Sequence, residues 1–85
     1  MPDPSLKAAL QGAVARALAG DWQAAHAVAQ EHEGDAIANW IHAVVHRMEG
    51  DLGNARYWYG RCGRALRPSV STADELREIA AALRG

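Results

Sequence analysis

The sequence predicts an all-helical domain of about five short helices, two stacked helix-turn-helix hairpins followed by a C-terminal capping helix. Three observations predict it. Gly-Asp occurs at Gly20-Asp21, Gly34-Asp35 and Gly50-Asp51, each a helix stop fused to a helix start. Between these junctions apolar residues recur at helical rather than alternating spacing. Ala, the best helix former, supplies much of the 49% hydrophobic fraction, and Phe is absent.

The elements follow in order. Asp3-Pro4 offers a cap followed by Pro at the first helical position, and Leu6, Leu10, Ala13, Val14 and Ala17 carry the first stripe up to Gly20. Asp21 caps a second helix with Trp22, Ala25, Val28 and Ala29 on one side, closed by Gly34. Asp35 caps a third, whose stripe is Ile37, Trp40, Ile41, Val44 and Met48, ending at Gly50. A fourth helix from Asp51 carries Leu52, Ala55, Trp58, Tyr59, Cys62 and Leu66, and Pro68 ends it. Thr72-Ala73-Asp74-Glu75 fits a capping box for a fifth, striped by Leu76, Ile79, Ala80 and Leu83. One domain over 1–85 follows, with hairpins at about 4–33 and about 35–67 and a capping helix at about 72–84.

Length and charge narrow the classes of function. A chain of 85 residues buries only about 60–65% of its unfolded surface, which leaves little for an enclosed active-site cavity. Nine basic residues against ten acidic ones give a net charge of −1, so neither nucleic acid nor an anionic membrane is an expected partner. The single Cys62 excludes an internal disulfide and a cysteine-based zinc site. Residues 1–4 carry no basic-then-apolar signal, and no apolar run approaches the roughly 20 residues that span a bilayer. The expected setting is a reducing cytoplasm.

Leu18-Ala19-Gly20-Asp21-Trp22 with Ala25 aligns, 30 residues on, with Met48-Glu49-Gly50-Asp51-Leu52 with Ala55. This internal repeat of a helix–turn–helix unit resembles tetratricopeptide-like repeats over residues 5–66, although its period is shorter than the usual 34 and the Trp-Leu-Gly-Tyr signature is missing. The plainer alternative is an irregular bundle of the same five helices. A second, local resemblance covers His46-Arg47, Glu49-Gly50-Asp51, Asn54-Ala55 and Tyr57-Trp58-Tyr59, which look like a segment of uncharacterised bacterial and fungal proteins. It implies no activity.

Two constellations carry chemistry. On the third helix His42 and His46 are four residues apart and share a face with Asn39 and Glu49, opposite the apolar stripe. Two imidazoles and a carboxylate so placed suit Zn²⁺ or another divalent ion. The alternative is a polar face whose histidines sit at a hairpin interface or in solvent. On the fourth helix Arg56, Arg64 and Arg67 fall within about 80° of one another, with Tyr57 and Gly60 in the same sector and Arg61 at its edge. That surface suits a carboxylate, a phosphate or an acidic peptide. The alternative is a solvated face favoured by the helix dipole. His32 reads as a packed or capping residue, Cys62 as an inert core thiol, and Trp22, Trp40 and Trp58 as core anchors.

The leading expectation is a non-enzymatic module that binds a protein or peptide, an acidic one included, and can act as a homodimer. Its groove would combine Tyr57, Tyr59, Arg61, His42 and His46. The alternative is a small-ligand or divalent-metal domain, open to enzymatic use, built on His42, His46 and Glu49. Whether the histidine face and the arginine–tyrosine face converge decides between them.

Overall fold

The computed structural model describes residues 4–84. It contains α1 (Pro4–Leu18), α2 (Trp22–Gln30), α3 (Ala36–Glu49), α4 (Leu52–Arg61) and α5 (Thr72–Arg84), with no strand among the described residues. The chain is all-α, as its periodicity predicts. Asp3, expected as the first cap, lies outside the described residues. None of the helices is long and apolar enough to cross a membrane.

The Gly-Asp junctions work as stop and start. Gly20 has φ 93°, with Gly20 N–H donating to Ala17 O at 2.9 Å and Asp21 N–H to Arg16 O at 2.8 Å. Those are the paired bonds of a glycine-terminated helix. The Asp21 carboxylate then accepts from Ala24 N–H at 3.2 Å and opens α2. Gly50 (φ 90°) and Asp51 repeat the arrangement, with Asp51 N–H donating to His46 O at 2.9 Å and the carboxylate accepting from Asn54 N–H at 3.2 Å. The middle junction differs. α2 stops at Gln30, short of Gly34, because the polar run Gln30-Glu31-His32-Glu33 brings no apolar side chain with which to continue the packed stripe. Asp35 still caps α3, accepting from Ala38 N–H at 2.9 Å.

Two other boundaries depart from expectation. α4 ends at Arg61, well before Pro68. Gly63 takes φ 72° and Arg64 N–H returns to Tyr59 O at 2.9 Å, so a glycine stop terminates the helix before the proline is reached. Cys62, Arg64, Leu66 and Arg67 therefore sit on the connection, and the helical grouping of Arg56, Arg64 and Arg67 does not form. At α5 the capping residue is Ser71, whose Oγ accepts from Asp74 N–H at 3.0 Å. Glu75 is thereby released from a capping box, and its side chain turns into the core.

α3 is the central element, with residues 38–46 all buried. It packs against α2, α4 and α5 and touches α1. Ala25, Ala29, Ala38, Ala43 and Ala55 are completely buried, and their small side chains let neighbouring helices approach closely. α5 returns across α1 and α3 instead of stacking on α4. Its Leu76, Ile79 and Leu83 share one core with Leu10, Ala13, Val14 and Ala17 of α1.

Glu75 ties three helices together. Its Oε2 accepts from the Trp40 indole at 2.7 Å, and its Oε1 accepts from Arg47 Nη1 and from the Tyr59 hydroxyl, each at 2.7 Å. Arg47 also donates through Nη2 to Val70 O at 2.7 Å, which pins the α4–α5 connection. Burial, and then the adjacent Glu75 carboxylate, push the Tyr59 hydroxyl well above its ordinary value, so it remains a hydrogen-bond donor.

Candidate metal centre

The face of α3 read as polar is buried under α2 and α4. Ile37, Trp40, Ile41 and Val44 already point to the core, and the neighbouring helices cover the other side as well. His42 is 3% exposed and His46 is 9% exposed. His26 reaches them from α2. Its position four residues after Trp22 and three before Ala29 sets it on the stripe that α2 turns toward α3. The His26 and His42 ring centroids are 4.7 Å apart, His26 and His46 5.3 Å, and His42 and His46 5.0 Å.

One ligand nitrogen from each of these rings lies within 4.8 Å of one from each of the others. A Zn²⁺ with bonds of about 2.0–2.1 Å would draw such nitrogens to about 3.4 Å apart, a movement within reach of side-chain rotation. Glu49 stands behind the cluster, with His46 Nδ1 2.8 Å from its Oε1. A hydrogen bond donated by Nδ1–H to that carboxylate keeps the proton on Nδ1 and leaves the lone pair on Nε2, the arrangement in which a carboxylate orients a ligating imidazole. Glu49 groups with His46 and Asp51 and not with His42. Asp51 is in turn occupied by capping α4 through Asn54 N and Nδ2, and these bonds hold its carboxyl below the usual range.

His42 is the most constrained member. Trp58 of α4 stacks on it with centroids 3.8 Å apart and planes 12° from parallel. Its buried Nδ1 has no hydrogen-bond partner among the described residues. Burial, followed by repulsion from His26 and His46, lowers its pKa to about 4. It is therefore neutral at physiological pH, the form that ligates a metal.

The arginine–tyrosine surface divides between two sides of α4. Tyr57 is exposed, meets Trp58 edge-on at 5.1 Å and accepts a hydrogen bond from Arg61 at 3.0 Å; the Arg61 guanidinium lies 5.3 Å from the Trp58 ring. These two residues thus adjoin the histidine cluster through Trp58. Arg64 lies over Trp40, 3.4 Å from its ring centroid, and lines a separate groove with Arg56. Cys62 is half-buried, and burial raises its thiol pKa, as expected of an unreactive group.

Sequence reasoning missed His26 and the interior role of Glu75. Each leaves a signal in the sequence, a polar residue set within an otherwise apolar stripe: His26 between Trp22 and Ala29, Glu75 beside Leu76 and four before Ile79. Comparison with protein-family models, curated proteins and solved structures gave no match, so the geometry of His26, His42, His46 and Glu49 is what carries a functional reading.

Proposed function

We propose that this protein binds a divalent transition-metal ion through His26, His42 and His46, with Glu49 orienting His46. The observation that carries the reading is the convergence of three ring nitrogens from two helices at a buried face. An all-imidazole set favours Zn²⁺, Ni²⁺ or Cu²⁺ over the oxygen-seeking Mg²⁺ and Ca²⁺. Three protein ligands leave a coordination position for water or an exogenous ligand, the pattern of exchangeable or catalytic sites rather than of closed structural ones. Burying these imidazoles for packing alone is costly, because an unmade hydrogen bond of the His42 kind costs about 1–3 kcal/mol. Peptide capture has less support. The surface shared by α1 and α3, which a stacked array would offer to a peptide, is covered by the chain's own α5.

Isothermal titration of the metal-free protein with Zn²⁺, together with Co²⁺ absorption, tests the reading. One ion per chain is expected, with the tetrahedral Co²⁺ spectrum. At 100 times its dissociation constant, Zn²⁺ should stabilise by about 2.7 kcal/mol, a rise of several degrees in a domain this small. His26→Ala is the decisive variant, because His26 is only half-buried and its loss spares the α3–α4 stack. Saturable binding that survives His26→Ala unchanged, or no binding by the wild type, would make the cluster a packing feature.

A further inference from the structure

The connection between α4 and α5 borders two adjoining cavities of about 300 and 340 Å³. Arg64, Arg67 and Glu75 line the first. Arg56, Tyr59, Arg64 and Pro68 line the second, so Arg64 joins both into one groove. No histidine lines either cavity, which separates the groove from the candidate metal centre.

We propose that this groove binds a small phosphate-bearing molecule, a phosphomonoester, anchored by Arg56 and Arg64. Charge balance within the groove is the first argument. Glu75 already accepts from Trp40, Arg47 and Tyr59 at 2.7 Å each. Arg67 is held by both oxygens of Glu78, at 3.0 and 3.1 Å, with Glu75 at 3.8 Å. The guanidinium groups of Arg56 and Arg64 have neither a hydrogen-bond acceptor nor an acidic partner among the described residues. Two guanidinium groups that no acidic side chain engages thus line one groove, with their N–H groups left to an incoming anion.

The second argument is preorganisation. The guanidinium carbon of Arg64 lies over the Trp40 ring, 3.4 Å from its centroid, so the ring restrains the group while its N–H donors have no acceptor among the described residues. A guanidinium restrained in this way can receive two oxygens of a phosphate at a smaller entropic cost than a freely moving one. The third is charge and shape. A phosphomonoester approaches two negative charges near pH 7 and so matches two free cations, whereas a simple carboxylate brings one. Tyr59, Leu66 and Pro68 give the second cavity an apolar wall against which the organic group of the ester can lie.

The test is a ¹⁵N-resolved NMR titration of the full chain with inorganic phosphate, phenyl phosphate and acetate, in EDTA and at constant ionic strength. Saturable shifts are expected over residues 56–68, with phenyl phosphate binding more tightly than phosphate and acetate failing to saturate. Arg56→Gln should weaken phenyl phosphate binding by about tenfold or more, the worth of one charge-assisted pair. Arg64→Gln should do the same, but it also removes a stacking contact from Trp40, so the exposed Arg56 decides the outcome. His26→Ala should leave phosphate binding unchanged, which keeps this result independent of the metal reading. Shifts that grow linearly without saturation, acetate binding as tight as phosphate, or full affinity in Arg56→Gln each overturn the proposal.

Discussion

Glu75 shows how one buried charge is made tolerable. Three donors at 2.7 Å surround a carboxylate that is 1% exposed, and Arg47, the cation among them, is itself nearly covered. Such a pair adds little net stability compared with well-packed apolar residues, yet removing one member strands the other in a low-dielectric interior. Glu75→Ala is accordingly expected to cost about 3–5 kcal/mol in urea denaturation, a large part of the stability of a domain this size. A loss below about 1 kcal/mol would mean that water reaches Arg47 and satisfies it. His42 makes a second prediction at this scale. Its pKa is lowered to about 4 in the folded chain, against about 6.5 when unfolded, so the folded state binds fewer protons. The stability it contributes is complete above pH 6.5 and is lost as the pH falls from 6.5 toward 4. His26 and His46 face it, so the measurement is made on metal-free protein in EDTA. Denaturation midpoints at about pH 7, 5.5 and 4.5 should fall faster for the wild type than for His42→Phe; parallel slopes would show that His42 is not the group responsible.

At the scale of the element, glycine and cap positions divide by backbone geometry. Gly50 sits at φ 90°, where a side chain is strained, so Gly50→Ala should cost about 1–2 kcal/mol. Gly12 lies within α1 with open space where a Cβ would stand, so Gly12→Ala should stabilise by about 0.5–1 kcal/mol. Opposite signs from the same substitution, read by thermal melting, are the check. Ser71→Ala should cost about 1 kcal/mol and Thr72→Ala much less, because the cap lies one residue earlier than the Thr-x-x-Glu pattern suggests. Helix starts were readable because an Asp that accepts from an N–H three residues on is a local event, and this holds at Asp21, Asp35 and Asp51. Helix ends were less readable. At Gly63 and Pro68 the sequence offers two stops, and only the folded backbone shows that the glycine acts first.

At the scale of the whole molecule, the path of α5 sets what the domain can present. By crossing α1 and α3 it buries Leu76, Ile79 and Leu83 in the common core and carries Glu75 to Trp40, Arg47 and Tyr59. The candidate metal centre instead joins α2 to α3, away from α5. Zn²⁺ should therefore slow amide exchange most strongly in α2 and the second half of α4, where Trp58 backs His42, with a smaller effect in α5; hydrogen-exchange mass spectrometry with and without Zn²⁺ checks this. Uniform protection along the chain would point to global stabilisation alone. The sequence by itself determined the all-helical class, the number of helices and the starts of α2, α3 and α4, because caps, glycine stops and 3.6-residue periodicity act over a few neighbouring residues. It also placed His42, His46 and Glu49 on one helix, where spacing alone sets direction. Only the tertiary structure brought His26 from α2 to those imidazoles, replaced a capping role for Glu75 with a buried one, and parted Arg61 and Tyr57 from Arg56 and Arg64. Each of these depends on which helix packs on which, a choice made by long-range burial that local residue patterns do not encode.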